Sequence, residues 1–246
     1  MSDISFIHLA SAGKMKSTEQ IVLNIRKHHP SAYYFLGSDA AEDLMQIASR
    51  YNCAYRYYTD KLGYPDGVRG YSVDKLLAWL ERFKTACQEC NTSHIMMTED
   101  DVWLTKPVTI DPSWEMACHY VPHGNVIPEG VLDMIERFSG KRPHSNYYGG
   151  GGGSIYKVST FLENYDRVTS FFREQTTFIQ DNLYPTIGWM DCYMVIYYML
   201  CGKNYAINPH MTDTHHHKPG FDFDKFVNEQ PESIEIVNNY KKYYWV

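Results

Sequence analysis

The stretch HIMMTEDDVWL, His94–Leu104, runs an apolar segment directly into three acids, Glu99, Asp100 and Asp101. The apolar part has the length and composition of a buried strand. Three adjacent carboxylates repel one another, so they require either full solvation or a nearby cation. Ligands of open α/β sheets bind outside the carboxyl ends of the strands. The position of the acids after a strand therefore favours a ligand site over a solvated acidic turn.

Strand-like and helix-like segments alternate in the sequence that precedes this stretch. A helix predicted over 72–90 carries one apolar stripe that includes Leu76, Leu80 and Phe83. Before it the chain reads strand, helix, strand, helix, strand, over the ranges 4–10, 17–25, 31–40, 40–51 and 53–60. This alternation is typical of a parallel sheet covered by helices in an α/β fold.

The sequence after the acids is richer in glycine, proline, histidine and aromatic residues. Strand-like runs at 114–121 and 152–158 indicate a mixed or antiparallel extension of the sheet. Helices are predicted at 159–181, with a break near Thr169 left open, and at 190–200. Since no stretch has the composition of a linker, one domain is predicted over 1–246. Its two halves are a nucleotide-binding half, 1–106, and a substrate-facing half, 107–246.

Composition excludes several classes of protein. The chain has 246 residues, a net charge of −6 and a pI near 6.0, and its basic residues are scattered, which argues against a nucleic-acid surface. No apolar run approaches the roughly 18–20 residues of a membrane span. The first residues show neither the basic nor the apolar region of a signal peptide. We therefore expect a soluble cytoplasmic protein whose six cysteines are reduced thiols.

The three acids have the chemistry of a cation site. Carboxylate oxygens are hard ligands that suit Mg²⁺ or Mn²⁺. If the strand continued through them, Glu99 and Asp101 would share one face and Asp100 would point to the other. Two carboxylates on one face can share a cation, and a cation there can neutralise the diphosphate of a nucleotide.

Gly149–Gly153 form a run of five glycines within NYYGGGGGSIYKV. The run lacks the lysine and hydroxyl residue of a phosphate loop, and it leads into a strand rather than a helix. Glycine allows a ligand to approach the backbone closely. The run is therefore interpreted either as backbone against which a sugar lies or as a flexible hairpin loop.

Two later features carry further polar chemistry. Asp191, in GWMDCY, lies in the first turn of a strongly apolar helix next to Trp189. It either complements the helix dipole or acts as a placed carboxylate beside an aromatic platform. The stretch HMTDTHHHKPGF, His210–Phe221, supplies imidazoles that can complete a metal site begun by carboxylates, or it is an ordinary surface cluster.

In this order, the four features resemble the metal-dependent nucleotide-sugar glycosyltransferases of the GT-A fold. The acidic stretch looks like the EDD variant of their DxD motif, in which the last acid, here Asp101, contacts the metal. The glycine run is similar to a donor or acceptor segment of several GT-A families, and GWMDCY resembles their W-(D/E)-D segment. HHHKPGF resembles the H…KPW element of glycogenin-like enzymes. The sequence departs from these patterns at Glu99, which replaces an aspartate, and at Gly220-Phe221, which replace the final tryptophan.

The resemblance implies a GT-A fold, in which a Rossmann-like mixed sheet flanked by helices binds the nucleotide and a fused half binds the acceptor. It implies transfer of a sugar from a nucleoside diphosphate donor, UDP-linked, to a hydroxyl acceptor such as a glycan. Mn²⁺ or Mg²⁺ would be held by Asp101 and Glu99, with His215 or His217. Asp191 would be the general base if the enzyme inverts the anomeric centre, and would position the donor sugar if it retains it. The residues expected to contact the donor are Ala10, Ser11, Asp39, Asp60, Arg69, Lys75, Asp100, Gly150, Gly151, Gly152, Trp189 and Lys218.

Two other functions are compatible with the same residues. A metal-dependent hydrolase would use the acids and histidines to activate water. A non-catalytic nucleotide- or sugar-binding module would bind the same ligands without turnover. We expect no membrane anchor, and this expectation predicts a soluble enzyme of microbial or viral type rather than a Golgi-resident transferase.

Overall fold

The structure is a computed structural model, and it describes residues 4–40, 42–62, 72–100, 102–118, 126–146, 152–183, 190–207, 211–213 and 236–238. The strands are β1 Ile4–Ala10, β2 Tyr34–Ser38, β3 Ala54–Arg56, β4 His94–Thr98, β5 Trp103–Leu104, β6 Met116–Cys118, β7 Ile155–Lys157, β8 Ala206–Ile207, β9 Met211–Asp213 and β10 Ile236–Asn238. The helices are α1 Met15–His28, α2 Met45–Arg50, α3 Val73–Glu89, α4 Glu129–Ser139, α5 Val158–Leu183 and α6 Met190–Leu200.

Seven of these strands form one sheet in the order β3-β2-β1-β4-β7-β6-β8, and β5, β10 and β9 form a smaller sheet. The strands β1 to β4 are all parallel, and the α/β class predicted from the alternation of elements is confirmed. The chain runs outward from β1 through β2 to β3 and then returns to place β4 on the other side of β1. Such a reversal of strand order creates a crevice at the carboxyl ends of the two central strands.

The strand β7 lies between β4 and β6 and is antiparallel to both, as the predicted mixed extension requires. At the end of β4, the Met97 amide donates to the Ser154 carbonyl at 2.9 Å, and the Gly153 amide donates to the Met97 carbonyl at 2.6 Å. The reversed direction of β7 therefore brings the end of the glycine run to the carboxyl end of β4.

Helices cover both faces of the sheet. The aromatic core on one face is formed by α3, α5 and α6, and Phe161 stacks on Tyr197 with ring centroids 4.6 Å apart. On the other face α1 buries Ile21, Val22 and Ile25. Every residue of α6 is buried except Asp191, so this helix is apolar on all sides, as its sequence predicts. No helix within the described ranges combines the length and the apolar character needed to cross a bilayer.

Several elements differ from the sequence prediction at their ends. The helix α1 begins at Met15 rather than at Ser17, α2 has six residues, and β3 has three. The helix α5 is continuous through Thr169, and the threonine hydroxyl finds its partner within the helix by donating to the Tyr165 carbonyl at 2.8 Å. The helix α4 was not predicted, although Pro128 before it and the left-handed Gly140 after it are ordinary helix boundaries.

Candidate active site

The carboxyl edge of the large sheet collects most of the described candidate residues. Ala10 ends β1 and Ser11 follows it, Asp39 follows β2, and Glu99 and Asp100 follow β4. Because β7 runs in the opposite direction, Gly152 and Gly153 reach the same edge from the amino end of their strand. Glu99 and Asp100 lie directly after a buried strand in the structure, as the sequence predicts.

Gly152 is packed against the acidic stretch. A Cβ atom built on Gly152 would lie 2.3 Å from Cγ2 of Val102 and 3.0 Å from Cβ of Glu99. Contacts this short do not occur between real atoms, so only a glycine fits there without a shift of its neighbours. Gly152 and Glu99, which are far apart in sequence, are therefore packed against each other.

The two described acids lie beyond the end of β4 rather than within it. The strand ends at Thr98, and the Val102 amide donates to the Glu99 carbonyl at 3.2 Å. The alternation expected for a continuing strand therefore does not apply to Glu99 and Asp100. Asp100 approaches Lys14, with Nζ and Oδ2 3.9 Å apart, and its side chain is 15% exposed. Lys14 was not predicted as a site residue, although it closes the small-residue turn after β1.

Asp39 is held in a buried ion pair. Its Oδ1 lies 3.1 Å from Nη1 of Arg82 and accepts the Leu62 amide at 2.7 Å, and the two side chains are 3% and 6% exposed. Arg82 also donates to the carbonyl of Asp60 at 3.0 Å and lies over the Tyr58 ring at 4.1 Å. Asp39 therefore fixes the segments that follow β2 and β3 against α3. Its contact with a nucleoside stays a prediction.

Other predicted contacts are placed at the same edge. The Ala10 carbonyl accepts the Asp39 amide at 2.9 Å, and the side chain of Asp60 is exposed. Lys75 lies in the first turn of α3, where its amide donates to the Ser72 hydroxyl at 3.4 Å.

The start of α1 has a hydrogen-bond partner that the sequence does not reveal. The Glu42 carboxylate accepts the Gly13 amide at 2.6 Å and the Lys14 amide at 3.4 Å.

Tyr156 is a fully buried tyrosine of β7. Burial raises the pKa of the Tyr156 phenol well above its usual value, and the negative charges of Asp191 and Glu99 raise it further. The Ser154 hydroxyl opposes this shift, although the two hydroxyls do not meet the geometry of a hydrogen bond. Asp191 and Glu99 therefore act on this buried phenol through their charges, and neither of them accepts a hydrogen bond from it.

Several predicted residues lie outside the described ranges, namely Arg69, Asp101, Gly150, Gly151, Trp189, His215, His217 and Lys218. Among the residues that are described, no group of three or more histidine, cysteine, aspartate or glutamate side chains could hold a metal ion. Glu99 and Asp100 supply hard oxygen donors but do not form a complete ligand set on their own. The predicted metal site depends on Asp101 and the histidines.

The sequence matches no known family, and no curated protein matches it. Solved structures do match its fold. The galactosyltransferase LgtC, crystallised in complex with donor and acceptor sugar analogs, superposes with a TM-score of 0.58 at 11% identity, over 95% of this chain and 86% of LgtC. An active-site mutant of LgtC gives the same values. WbbM, a bifunctional glycosyltransferase solved in its apo form, superposes with a TM-score of 0.50 at 10% identity, over 96% of this chain and 45% of WbbM.

This likeness establishes the fold. The chain has the GT-A fold that its sequence predicts, a mixed sheet with helices on both faces.

Proposed function

We propose that this protein is a glycosyltransferase that moves a sugar from a nucleoside diphosphate donor, UDP-linked, to a hydroxyl group of an acceptor such as a glycan. The observation that carries the proposal is the contact between Gly152 and Glu99 at the carboxyl edge of the sheet. It joins bare backbone, against which a sugar can lie, to carboxylates that can share a cation with a diphosphate. The solved structures that share the fold are glycosyltransferases, which agrees with the proposal.

In this proposal the first half of the chain, 1–106, binds the nucleotide. Ala10, Ser11 and Asp60 contact the nucleoside from the strand ends. Asp39 also contacts the nucleoside and keeps its ion pair with Arg82 when it does so. The diphosphate of the donor lies nearer the basic side chains. Lys75 and Arg69 contact its oxygens, and Lys14, which approaches Asp100, is a further cation at the same edge.

The described residues fit part of a divalent metal site. Glu99 and Asp100 offer hard carboxylate oxygens at the sheet edge, and the ligand set is completed in this proposal by Asp101 and by His215 or His217. A bound Mn²⁺ or Mg²⁺ would act as a Lewis acid on the departing diphosphate. The protein's own contribution is to hold these side chains beside the glycine run.

The second half, 107–246, supplies the donor sugar and acceptor contacts. Gly150, Gly151 and Gly152 offer backbone to the sugar, with Trp189 as its aromatic platform and Lys218 as a further donor contact. Asp191 stands at the start of α6 as the one residue of that helix that is not buried. It would accept the proton of the acceptor hydroxyl in an inverting reaction, or position the donor sugar in a retaining one.

A thermal-shift screen of nucleotide sugars, with and without Mn²⁺, tests the binding half of the proposal. Ligand binding to the folded protein raises the midpoint by mass action, so the cognate donor should give the largest shift. The Asp101→Ala variant should lose the Mn²⁺-dependent binding of UDP in calorimetry. The Asp133→Ala variant, which alters an exposed acid of α4, is the matched control and should bind as the wild type does.

Release of UDP tests the reaction itself. Release that requires an added hydroxyl acceptor supports a transferase. Release at the same rate without acceptor identifies a hydrolase instead. Donor binding with no release under any condition identifies a binding module, and either of these two results overturns the proposal.

A further inference from the structure

Arg82 joins the two segments that leave the carboxyl ends of β2 and β3. Its Nη1 donates to Oδ1 of Asp39 at 3.1 Å, and its Nη2 donates to the Asp60 carbonyl at 3.0 Å. Asp39 directly follows β2, and Asp60 lies in the segment that follows β3. One planar guanidinium on α3 therefore fixes both segments at the edge of the sheet where the nucleoside is proposed to bind.

The same two segments are also hydrogen-bonded to each other. The Tyr58 amide donates to the Ser38 hydroxyl at 3.0 Å, and the Ala40 amide donates to the Asp60 carbonyl at 3.4 Å. Ala40 has a φ of +59°, a left-handed conformation that persists in a residue other than glycine where the surrounding structure holds it. The segments after β2 and β3 are therefore held as one unit, and Arg82 ties this unit to α3.

Arg26 makes an equivalent connection at the opposite, amino edge of the sheet. From α1 its guanidinium donates to the carbonyls of Ala32, Tyr51 and Asn52 at 2.6, 2.8 and 2.7 Å. These carbonyls lie in the segments that lead into β2 and β3. Carbonyl oxygens are thus sufficient partners for an arginine that ties these strands together. The buried carboxylate at the carboxyl edge is an additional feature, and a buried ion pair is weak evidence of a role in stability.

Charge gives a reason for pairing the acid at the carboxyl edge. A carboxylate without a counter-charge there would repel the diphosphate of a bound donor. The side chains of Asp39 and Arg82 are buried, so salt would screen such a repulsion only weakly. Because the pair carries no net charge, Asp39 can fix the segments after β2 and β3 without opposing an anionic ligand.

We propose that Arg82 is a positioning residue for donor binding, which sets the spacing of the segments after β2 and β3 so that both meet one nucleoside. The inference rests on the proposed function. The Asp39 amide also donates to the Ala10 carbonyl at 2.9 Å, so the effect of Arg82 extends to the end of β1. Arg82 is itself buried and acts through these segments rather than on the donor.

The Arg82→Lys variant tests this role because it keeps a counter-charge for Asp39 and removes the planar fork that also reaches Asp60. The Kd for UDP, measured by calorimetry with Mn²⁺, and the donor KM should both rise about tenfold, as is typical when a group that supports a binding residue is lost. The kcat at saturating donor should not change. Ser38→Ala, which removes only the hydrogen bond from Tyr58, should weaken UDP binding by a smaller factor.

Arg26→Lys is the matched control. It makes the same change in a guanidinium that joins the same two strands, but at the edge away from the site. This variant should lower the thermal midpoint and leave the Kd for UDP unchanged.

Two results overturn the positioning role of Arg82. One is a folded Arg82→Lys protein whose Kd for UDP is no higher than that of Arg26→Lys. The other, which decides the question where Arg82→Lys does not fold, is wild-type UDP binding by Ser38→Ala. A wild-type protein that binds no nucleoside diphosphate overturns the proposed function itself, and the positioning role with it.

Discussion

Gly152 lies so close to Glu99 that a single added methyl group on the glycine would come within 3.0 Å of the glutamate side chain. The same methyl group would overlap Val102, so neither neighbour leaves room for it. The contact joins two segments that the sequence presents separately.

Gly152→Ala should therefore destabilise the protein and disturb the site together. Overpacking of this kind costs about 1–3 kcal/mol, because the neighbouring backbone has to move. Chemical denaturation measures the free energy of unfolding, and the donor KM should rise in the same variant. Gly130→Ala, within α4, is the control, since the nearest atom to its added methyl is Cζ of Phe178 on α5, 3.9 Å away. It should raise stability by roughly 0.4–1 kcal/mol. Equal stability of the two variants would contradict the packing described for Gly152.

The ion pair of Asp39 and Arg82 predicts a large effect of removing one charge. Asp39→Asn keeps the shape but leaves the buried guanidinium without its counter-charge, which costs about 3–5 kcal/mol for a buried pair. Arg56→Ala removes one side of a more exposed pair with Glu89 and should cost much less. Urea unfolding of both variants measures the free energy of unfolding that each has lost. A small loss for Asp39→Asn would mean that the ion pair is not buried in solution.

Asp191→Asn should separate binding from turnover. If Asp191 transfers a proton, its amide variant should bind the donor with wild-type affinity and lose about 10²- to 10⁴-fold in kcat. Calorimetry with donor and steady-state UDP release give the two values. Asp166→Asn changes an exposed acid of α5 and should have wild-type kinetics. Unchanged kcat in Asp191→Asn would remove Asp191 from the reaction.

His29 predicts a loss of stability in mild acid. Burial lowers the pKa of His29, with a further contribution from His28, and its Nε2 accepts the Val108 amide at 2.9 Å. The folded state therefore binds the proton more weakly than the unfolded state, whose pKa is near 6.5. The stabilising contribution is present above that pH and is lost as the pH falls through the lower folded pKa.

Urea unfolding at pH 7.5 and 5.5 measures this dependence. On going from the higher to the lower pH, the wild type should lose more stability than the His29→Leu variant loses. The variant has no imidazole to protonate at that position. Equal losses in the two proteins would show that His29 does not contribute.

The sequence predicted those elements whose local pattern is strong. The bounds of β1 and α6 agree with prediction, because one is an uninterrupted apolar strand and the other an uninterrupted apolar helix. The bounds of α2 and β3 were too wide, since short polar segments carry little periodicity. The start of α1 depends on a carboxylate from another loop, Glu42, which no local pattern reveals.

Part of the candidate site was also predictable from a strong local sequence pattern. The position of Glu99 and Asp100 at a strand end is predictable because a buried strand precedes them in the sequence. The pairing of Asp39 with Arg82 and the approach of Lys14 to Asp100 join residues that lie 43 and 86 positions apart, so only the folded chain shows them.

The burial of α6 has a consequence for how this protein tolerates change. Asp191 is attached to a helix whose remaining residues are all inside the core, so the acid has no independent freedom to shift. Substitutions at Tyr197 or Met194, which are buried, would shift the helix and carry the carboxylate with it. Under the role proposed for Asp191, sequence variation along α6 should be limited by the alignment of this carboxylate as well as by packing.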